Sequence, residues 1–228
     1  MIRLEPIAVV RSPWSEKFGI PRQSGLAPEV ELSIELADSV PAEALRGLEA
    51  VSHVWLVCWF HASADEGWRP TVRPPRLGGA KRLGVFATRS PHRPNPLALT
   101  LARLVALEPR RLRVCGADLL DGTPVLDIKP YLPWAEARPE ARCEWAPAPP
   151  PSLPVEFGAL AREQLEASPN PEQLADLIRA SLRGDPRPAS HRRAPEREYG
   201  VTLAGHNVRF CVRGGRVEVL SIEALKQV

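Results

Sequence analysis

The sequence predicts a mainly β protein: an antiparallel or mixed barrel followed by a small α+β appendage. Three observations carry this reading. About seven short β-rich runs lie between residues 5 and 128 with little helical pattern between them, whereas a parallel sheet needs crossover helices of about a dozen residues. No Gly-x-Gly-x-x-Gly follows a strand, which disfavours a doubly wound nucleotide-binding fold. Five prolines between residues 146 and 154 mark a boundary, beyond which the pattern changes to helices and then to short hairpin strands. The predicted units are residues 1–145 and 155–228.

Residues 5–10 read as the first strand, entered from Ile2 and Leu4 and broken by Arg11, Ser12, Pro13 and Trp14. A polar loop follows through Lys17, Pro21, Arg22, Gln23 and Gly25. Val30, Leu32, Ile34 and Leu36 then alternate with Glu31, Ser33 and Glu35, the pattern of a half-buried strand. Pro41 opens a predicted helix over residues 42–48, with Asp38 or Ser39 as its cap. Residues 51–60 are apolar and β-prone enough for a central strand. Residues 65–82, with Pro70, Pro74, Pro75, Gly78 and Gly79, predict a long loop, and residues 83–87 a short strand after it. Residues 97–108 fit both a helical stripe and a strand alternation, and the surrounding strands favour strand. Strands at 112–117 and 125–128 follow, joined through turn chemistry at Asp121, Gly122, Thr123 and Pro124.

Beyond the boundary, residues 156–182 read as one or two helices. Leu160, Leu165, Leu174, Leu177, Ile178 and Leu182 are apolar, and Pro169 and Pro171 divide the run. Strands at 198–203, 207–212 and 216–222 close the chain, with hairpin turns at Ala204-Gly205-His206 and Gly214-Gly215.

At 228 residues the chain can bury a real core. Its four cysteines are far apart and form no Cys-x-x-Cys pair, which argues against a zinc site or a disulfide scaffold. No metal site is expected. The first residues lack the apolar run of a signal peptide, and no stretch approaches a membrane span, so a cytoplasmic protein is expected.

The formal charge is only +3, but residues 67–107 contain no acidic residue and hold Arg69, Arg73, Arg76, Lys81, Arg82, Arg89, Arg93 and Arg103. A local positive field of this kind suits a polyanion or an anionic small molecule. Within that window Arg89, Ser90, Pro91, His92, Arg93, Pro94, Asn95 and Pro96 form a loop stiffened by three prolines. Proline fixes φ and restricts the residue before it, so the loop presents its polar groups at set positions.

A second polar cluster runs from Asp118 through Asp121, Asp127 and Lys129 to Tyr131. Its carboxylates can hold a ribose diol or orient a base, and an Asp-Gly-Thr turn presents backbone N–H groups. Asp127 and Lys129 share one face of a strand and can form a local ion pair. His61 ends the long apolar strand, where a side chain can face a crevice, whereas His53 inside that strand reads as structural. His-Glu-x-x-His and Gly-x-Ser-x-Gly are absent, which excludes the commonest metal and serine hydrolases.

Four stretches together resemble one family. They are Ile7 to Leu26 (with Arg11, Ser12, Pro13, Lys17, Phe18, Gly19, Ile20, Pro21, Arg22, Gln23, Ser24 and Gly25), Trp68 to Gly79, Gly84 to Pro96, and Asp118 to Pro133. Over about residues 1–138 the chain resembles the TrmO family, also called TsaA-like or YaeB-like proteins, and residues 185–188 resemble its C-terminal region more loosely. The resemblance implies a β-barrel methyltransferase fold, a homodimer and the cofactor S-adenosyl-L-methionine. The implied substrate is threonine tRNA, methylated on N6 of threonylcarbamoyladenosine at position 37, next to the anticodon.

By matching position, the resemblance implies a cofactor pocket at Ser24, Gly25, Leu26, His61, Arg89, Asp121, Gly122, Thr123 and Pro124, with Arg89 on the methionine carboxylate. Asp118, Asp127 or His92 is then the candidate base, with Lys129 and Tyr131 shaping the site or stabilising developing charge. Arg93 and Asn95 are assigned to the modified base, and Arg69, Arg73, Arg76 and Lys81 to phosphates. Ser24 stands where the family usually has proline, and Ser190 where it usually has tyrosine. A non-enzymatic RNA-binding barrel and a methyltransferase acting on a small molecule are the alternatives.

Overall fold

The computed structural model describes residues 3–74, 81–188, 191 and 197–225. Six strands close into a barrel: β1 (Ala8–Arg11), β2 (Glu31–Leu36), β3 (His53–Trp59), β6 (Leu97–Glu108), β7 (Arg111–Cys115) and β8 (Pro124–Pro130). Their order is β1-β2-β7-β6-β3-β8, β8 returns to β1, and every neighbouring pair is antiparallel. The alternation in the sequence becomes the barrel interior. Val10, Leu32, Ile34, Val54, Leu56, Cys58, Leu112, Val114 and Val125 all point inward and are buried. The ambiguous run 97–108 is a strand of twelve residues.

Three local expectations are corrected. Of the seven runs, 83–87 does not join the barrel. Its first two residues form β5 (Leu83–Gly84), paired with the two-residue β4 (Thr71–Val72), and residues 85–87 make a 3-10 turn. The turn arises because the Thr88 amide and hydroxyl both bond back to the Val85 carbonyl. The helix at 42–48 is two 3-10 turns, Ala42–Leu45 and Leu48–Ala50, broken by Gly47 at φ 93 and capped by no side chain. The run 156–182 begins with a strand, β9 (Val155–Phe157), too short for its alternation to be read.

A four-residue helix α1 (His61–Ala64) follows β3, and another, α2 (Pro133–Glu136), follows β8. In the C-terminal part α3 (Ala159–Glu166) and α4 (Pro171–Leu182) accompany a sheet of order β10-β11-β12-β9. Its hairpin strands are β10 (Tyr199–Leu203), β11 (His206–Arg213) and β12 (Arg216–Ala224), and β9 lies parallel to β12. Leu160 stays exposed, unlike Leu174, Leu177, Ile178 and Leu182. One apolar cluster runs from the barrel interior through Trp14 to Leu203 and Phe210, so the two parts share a core. Among the described residues no helix is long and apolar enough to cross a membrane.

Candidate active site

Antiparallel pairing puts the ends of β1, β3 and β7 and the starts of β2, β6 and β8 on one rim. The pairs Arg11↔Ser33, Glu31↔Cys115, Trp59↔Leu97 and Val9↔Pro124 define it. Three loops leave this rim, at residues 12–30, 60–96 and 116–123, and they hold nearly every residue the sequence singled out. Arg76 lies outside the described residues, as does Ser190.

The rim has a notch. β7 stops at Cys115, opposite Arg103, so residues 97–102 of β6 keep only β3 as a ladder partner. Side chains take up the vacated flank. Arg89 Nη2 donates to the Leu99 carbonyl at 3.1 Å. One residue on, the Thr100 hydroxyl donates to Asp118 Oδ1 at 3.0 Å. Near Arg103 the 24–28 loop folds over the strand, held by Gly25 N–H on the Gly116 carbonyl at 2.8 Å. Ser24 and Gly25 there line a cavity of about 260 Å³ with His53, Leu101, Arg103 and Gly116. Leu99 to Arg103 is four strand steps, roughly 13 Å. One stretch of β6 therefore brings together Arg89 on its backbone edge, Asp118 on its inward face at Thr100, and Ser24 and Gly25 near Arg103.

Burial pushes the Asp118 carboxyl above the ordinary carboxylate range, against the opposing pull of the Thr100 hydrogen bond and of Arg89. Cys58, inside the barrel, is pushed up to about 12, first by burial and then by the Asp118 charge. Its thiol is therefore inert at neutral pH.

The Asp121-Gly-Thr turn differs from expectation. Its backbone N–H groups are already spent: Asp121 donates to the Trp14 carbonyl, Gly122 to Val10 and Thr123 to Leu120. The Asp121 carboxylate accepts the Ser12 N–H at 2.9 Å. The turn ties the loop after β1 to the start of β8, where Pro124 begins the strand, and offers no open anion nest.

The second polar cluster is split. Asp127 and Lys129 stand opposite Val57 and Trp55, on the outward side of the barrel wall. They form a 2.8 Å ion pair, which raises the Lys129 pKa. Tyr131 lies beyond, its N–H on the His53 carbonyl and its ring edge-on to Trp55. Six strand steps of β3, roughly 20 Å, separate His53 from the rim at Trp59. Tyr131 nevertheless borders the groove: its ring meets His53 edge-on, and His53 lines the cavity with Ser24 and Gly25.

The stiff loop is braced from within. Arg93 Nη1 donates to the Val85 and Thr88 carbonyls at 3.2 and 2.9 Å, and its guanidinium lies over the Phe86 ring. His92 Nδ1 sits 3.6 Å from Glu66, which also pairs with Lys17. The Lys17 hydrogen bond lowers the Glu66 pKa, and His92 adds to this. Asn95, Arg69, Arg73 and Lys81 are exposed, and His61 opens α1, half-buried.

Two residues escaped the sequence reading. Thr100 was legible as the one polar side chain among the inward Ala98 and Ala102. Phe86, 76% exposed beside the arginines, was hidden in a run read as a strand.

A closed antiparallel barrel with its polar loops on one notched rim fits the barrel-type methyltransferase fold that the sequence resemblance implies. Comparison with known proteins narrows it. The model of the tRNA-methyltransferase O N-terminal domain matches residues 9–137, and that of the TrmO C-terminal domain matches residues 150–225. The chain belongs to the TrmO family. It is 45% identical over 230 residues to the tRNA (adenine(37)-N6)-methyltransferase of Escherichia coli, covering 97% of each chain. It is 48% identical over 178 residues to the protein of that name from Eikenella corrodens, covering 77% of this chain and 98% of that one. The crystal structure of TrmO from Pseudomonas aeruginosa superposes with a TM-score of 0.82 at 41% identity, over 97% of this chain and 98% of that one.

Proposed function

We propose that this chain is an S-adenosylmethionine-dependent tRNA methyltransferase that methylates N6 of threonylcarbamoyladenosine at position 37 of threonine tRNA. The observation that carries the reading is full-length similarity to a tRNA (adenine(37)-N6)-methyltransferase, combined with the notch along β6. The cofactor supplies a methyl group already activated as a sulfonium substituent. The protein's task is alignment of donor and acceptor and management of one proton.

The notch suits an elongated ligand with a carboxylate at one end. Arg89 meets the carboxylate, and the Ser24–Gly25 groove takes the other end. The accepting N6 carries a proton, and its lone pair is delocalised into the ring and the carbamoyl group. Asp118 is the base we favour, because a carboxylate made more basic by burial accepts a proton more readily and Thr100 fixes one of its oxygens. Asp127 is engaged by Lys129, and His92 faces Glu66. Arg69, Arg73, Arg76 and Lys81 meet phosphates, and Arg93 and Asn95 face the modified base. Phe86 offers a stacking face beside them.

The enzyme works in the cytoplasm as a homodimer. Support comes from β6, which turns Ala98, Thr100 and Ala102 inward but leaves Leu97 39% and Leu99 50% exposed beside the outward Trp55, Val57 and Trp59. That is the reverse of a solvated wall.

Incubation with labelled S-adenosylmethionine and tRNA pools, with and without the threonylcarbamoyl group, tests the reading. Label is expected only in the modified pool. Equal label in both pools removes the substrate assignment. Label without RNA points to a small-molecule methyltransferase, and RNA binding without any label to a binding barrel.

A further inference from the structure

The loop that carries Ser24, Gly25 and Leu26 is held from two sides. Its barrel side is bonded at Ser12, Trp14 and Gly25, as described above. Its other side is bonded to the C-terminal part. Trp14, fully buried, donates its indole N–H to Ser181 of α4 at 2.9 Å and bridges to Leu203 of β10. The Ala204 N–H reaches the Pro13 carbonyl at 2.8 Å, and the Thr202 N–H reaches Glu16 at 2.6 Å. At the far end of the loop, Arg183, the residue after α4, donates to the Leu26 carbonyl and forms a 2.8 Å ion pair with Glu29. Both partners of that pair are about two-thirds buried or more, with side-chain exposures of 32% and 29%, so solvent screens it only in part.

We propose that Arg183 is a positioning residue for the cofactor: a fork from the C-terminal part that pins the Leu26 carbonyl and Glu29 and so sets Ser24 and Gly25 at the edge of the notch. This rests on the assignment of Ser24, Gly25 and Leu26 to the cofactor. The physical case is that Gly25 occupies φ 79, a conformation open to few other residues. Its N–H on Gly116 anchors the loop at one point, so a second anchor one residue further on decides the loop's angle to β6. Arginine suits that anchor because its planar fork serves a carbonyl and a carboxylate together, which a lysine ammonium does less well. The α+β part then acts on methyl transfer without touching donor or acceptor.

Arg183→Met, Arg183→Lys and Gly25→Val in the full chain test this. In Arg183→Met, the dissociation constant for S-adenosylmethionine by calorimetry is expected to rise about tenfold, a loss of about 1.4 kcal/mol. The KM for the cofactor is expected to rise with it. The kcat at saturating cofactor and the affinity for tRNA should stay within about twofold. Arg183→Lys should recover part of the loss, and it provides the same reading at smaller amplitude if the methionine variant folds poorly. Cofactor affinity unchanged in a folded Arg183→Met overturns the proposal. If Gly25→Val weakens cofactor binding and Arg183→Met does not, only the clamp is wrong. If neither does, the loop assignment fails and takes the clamp with it.

Discussion

At the scale of single residues, Asp118 is held where its charge is costly. A folded-state pKa raised by burial means that the native protein binds the proton more tightly than the unfolded chain. The stability this group contributes is therefore fully present below the ordinary carboxyl range and is lost as pH rises through the raised value. Asp118→Asn removes the charge while its amide oxygen still accepts from Thr100. Denaturant unfolding should show the variant more stable than wild type at neutral pH, with the difference fading on acidification, while methyl transfer is lost. Transfer at the wild-type rate in a folded Asp118→Asn rules out the base. Arg89 is tied to the Leu99 carbonyl by one nitrogen only. Arg89→Ala should weaken cofactor binding by about 1.5–3 kcal/mol, the range for a hydrogen bond to a charged group. Unchanged affinity by calorimetry removes Arg89 from the carboxylate.

At the scale of elements, the 60–96 loop divides its cations by burial. Arg93 braces the loop through two carbonyls and the Phe86 ring, whereas Arg73 stands exposed. Arg73→Ala should reduce tRNA affinity at low salt and flatten its salt dependence by roughly one released counterion. An unaltered slope denies a phosphate contact there. β2 was legible because one-sided burial imposes a period of two on its sequence, whereas β3, apolar on both faces, was legible only as a β-prone apolar run. The turn at 85–87 was not legible, since it is set by Thr88 bonding back to Val85 rather than by any pattern of apolar residues. The Asp121 turn was legible as a turn but not in its use. Which atoms accept its N–H groups depends on Val10 and Trp14, more than a hundred residues away in the chain.

At the scale of the whole molecule, the outward leucines of β6 and the aromatic and aliphatic side chains of β3 form one apolar wall. Burial of such a wall between two copies is worth roughly 25 cal/mol per Å² of apolar surface. Leu99→Asp should therefore turn a dimer into a monomer in sedimentation or light scattering, with the barrel still folded. A monomeric wild-type protein contradicts the homodimer.

The barrel class, the proline-rich boundary and the cationic, acid-free window follow from the chain alone, because periodicity, proline geometry and local charge are properties of neighbouring residues. The TrmO resemblance was readable in the same way, in contiguous motifs. The notch was not. It exists because β7 ends opposite Arg103 while β6 continues to Leu97, and strand register is settled by packing between segments distant in sequence. The same holds for the pairing of Thr100 with Asp118 and for the grip of Arg183 on Leu26. Contacts across such separations are selected by burial and hydrogen-bond satisfaction in the folded core, and no local pattern encodes them.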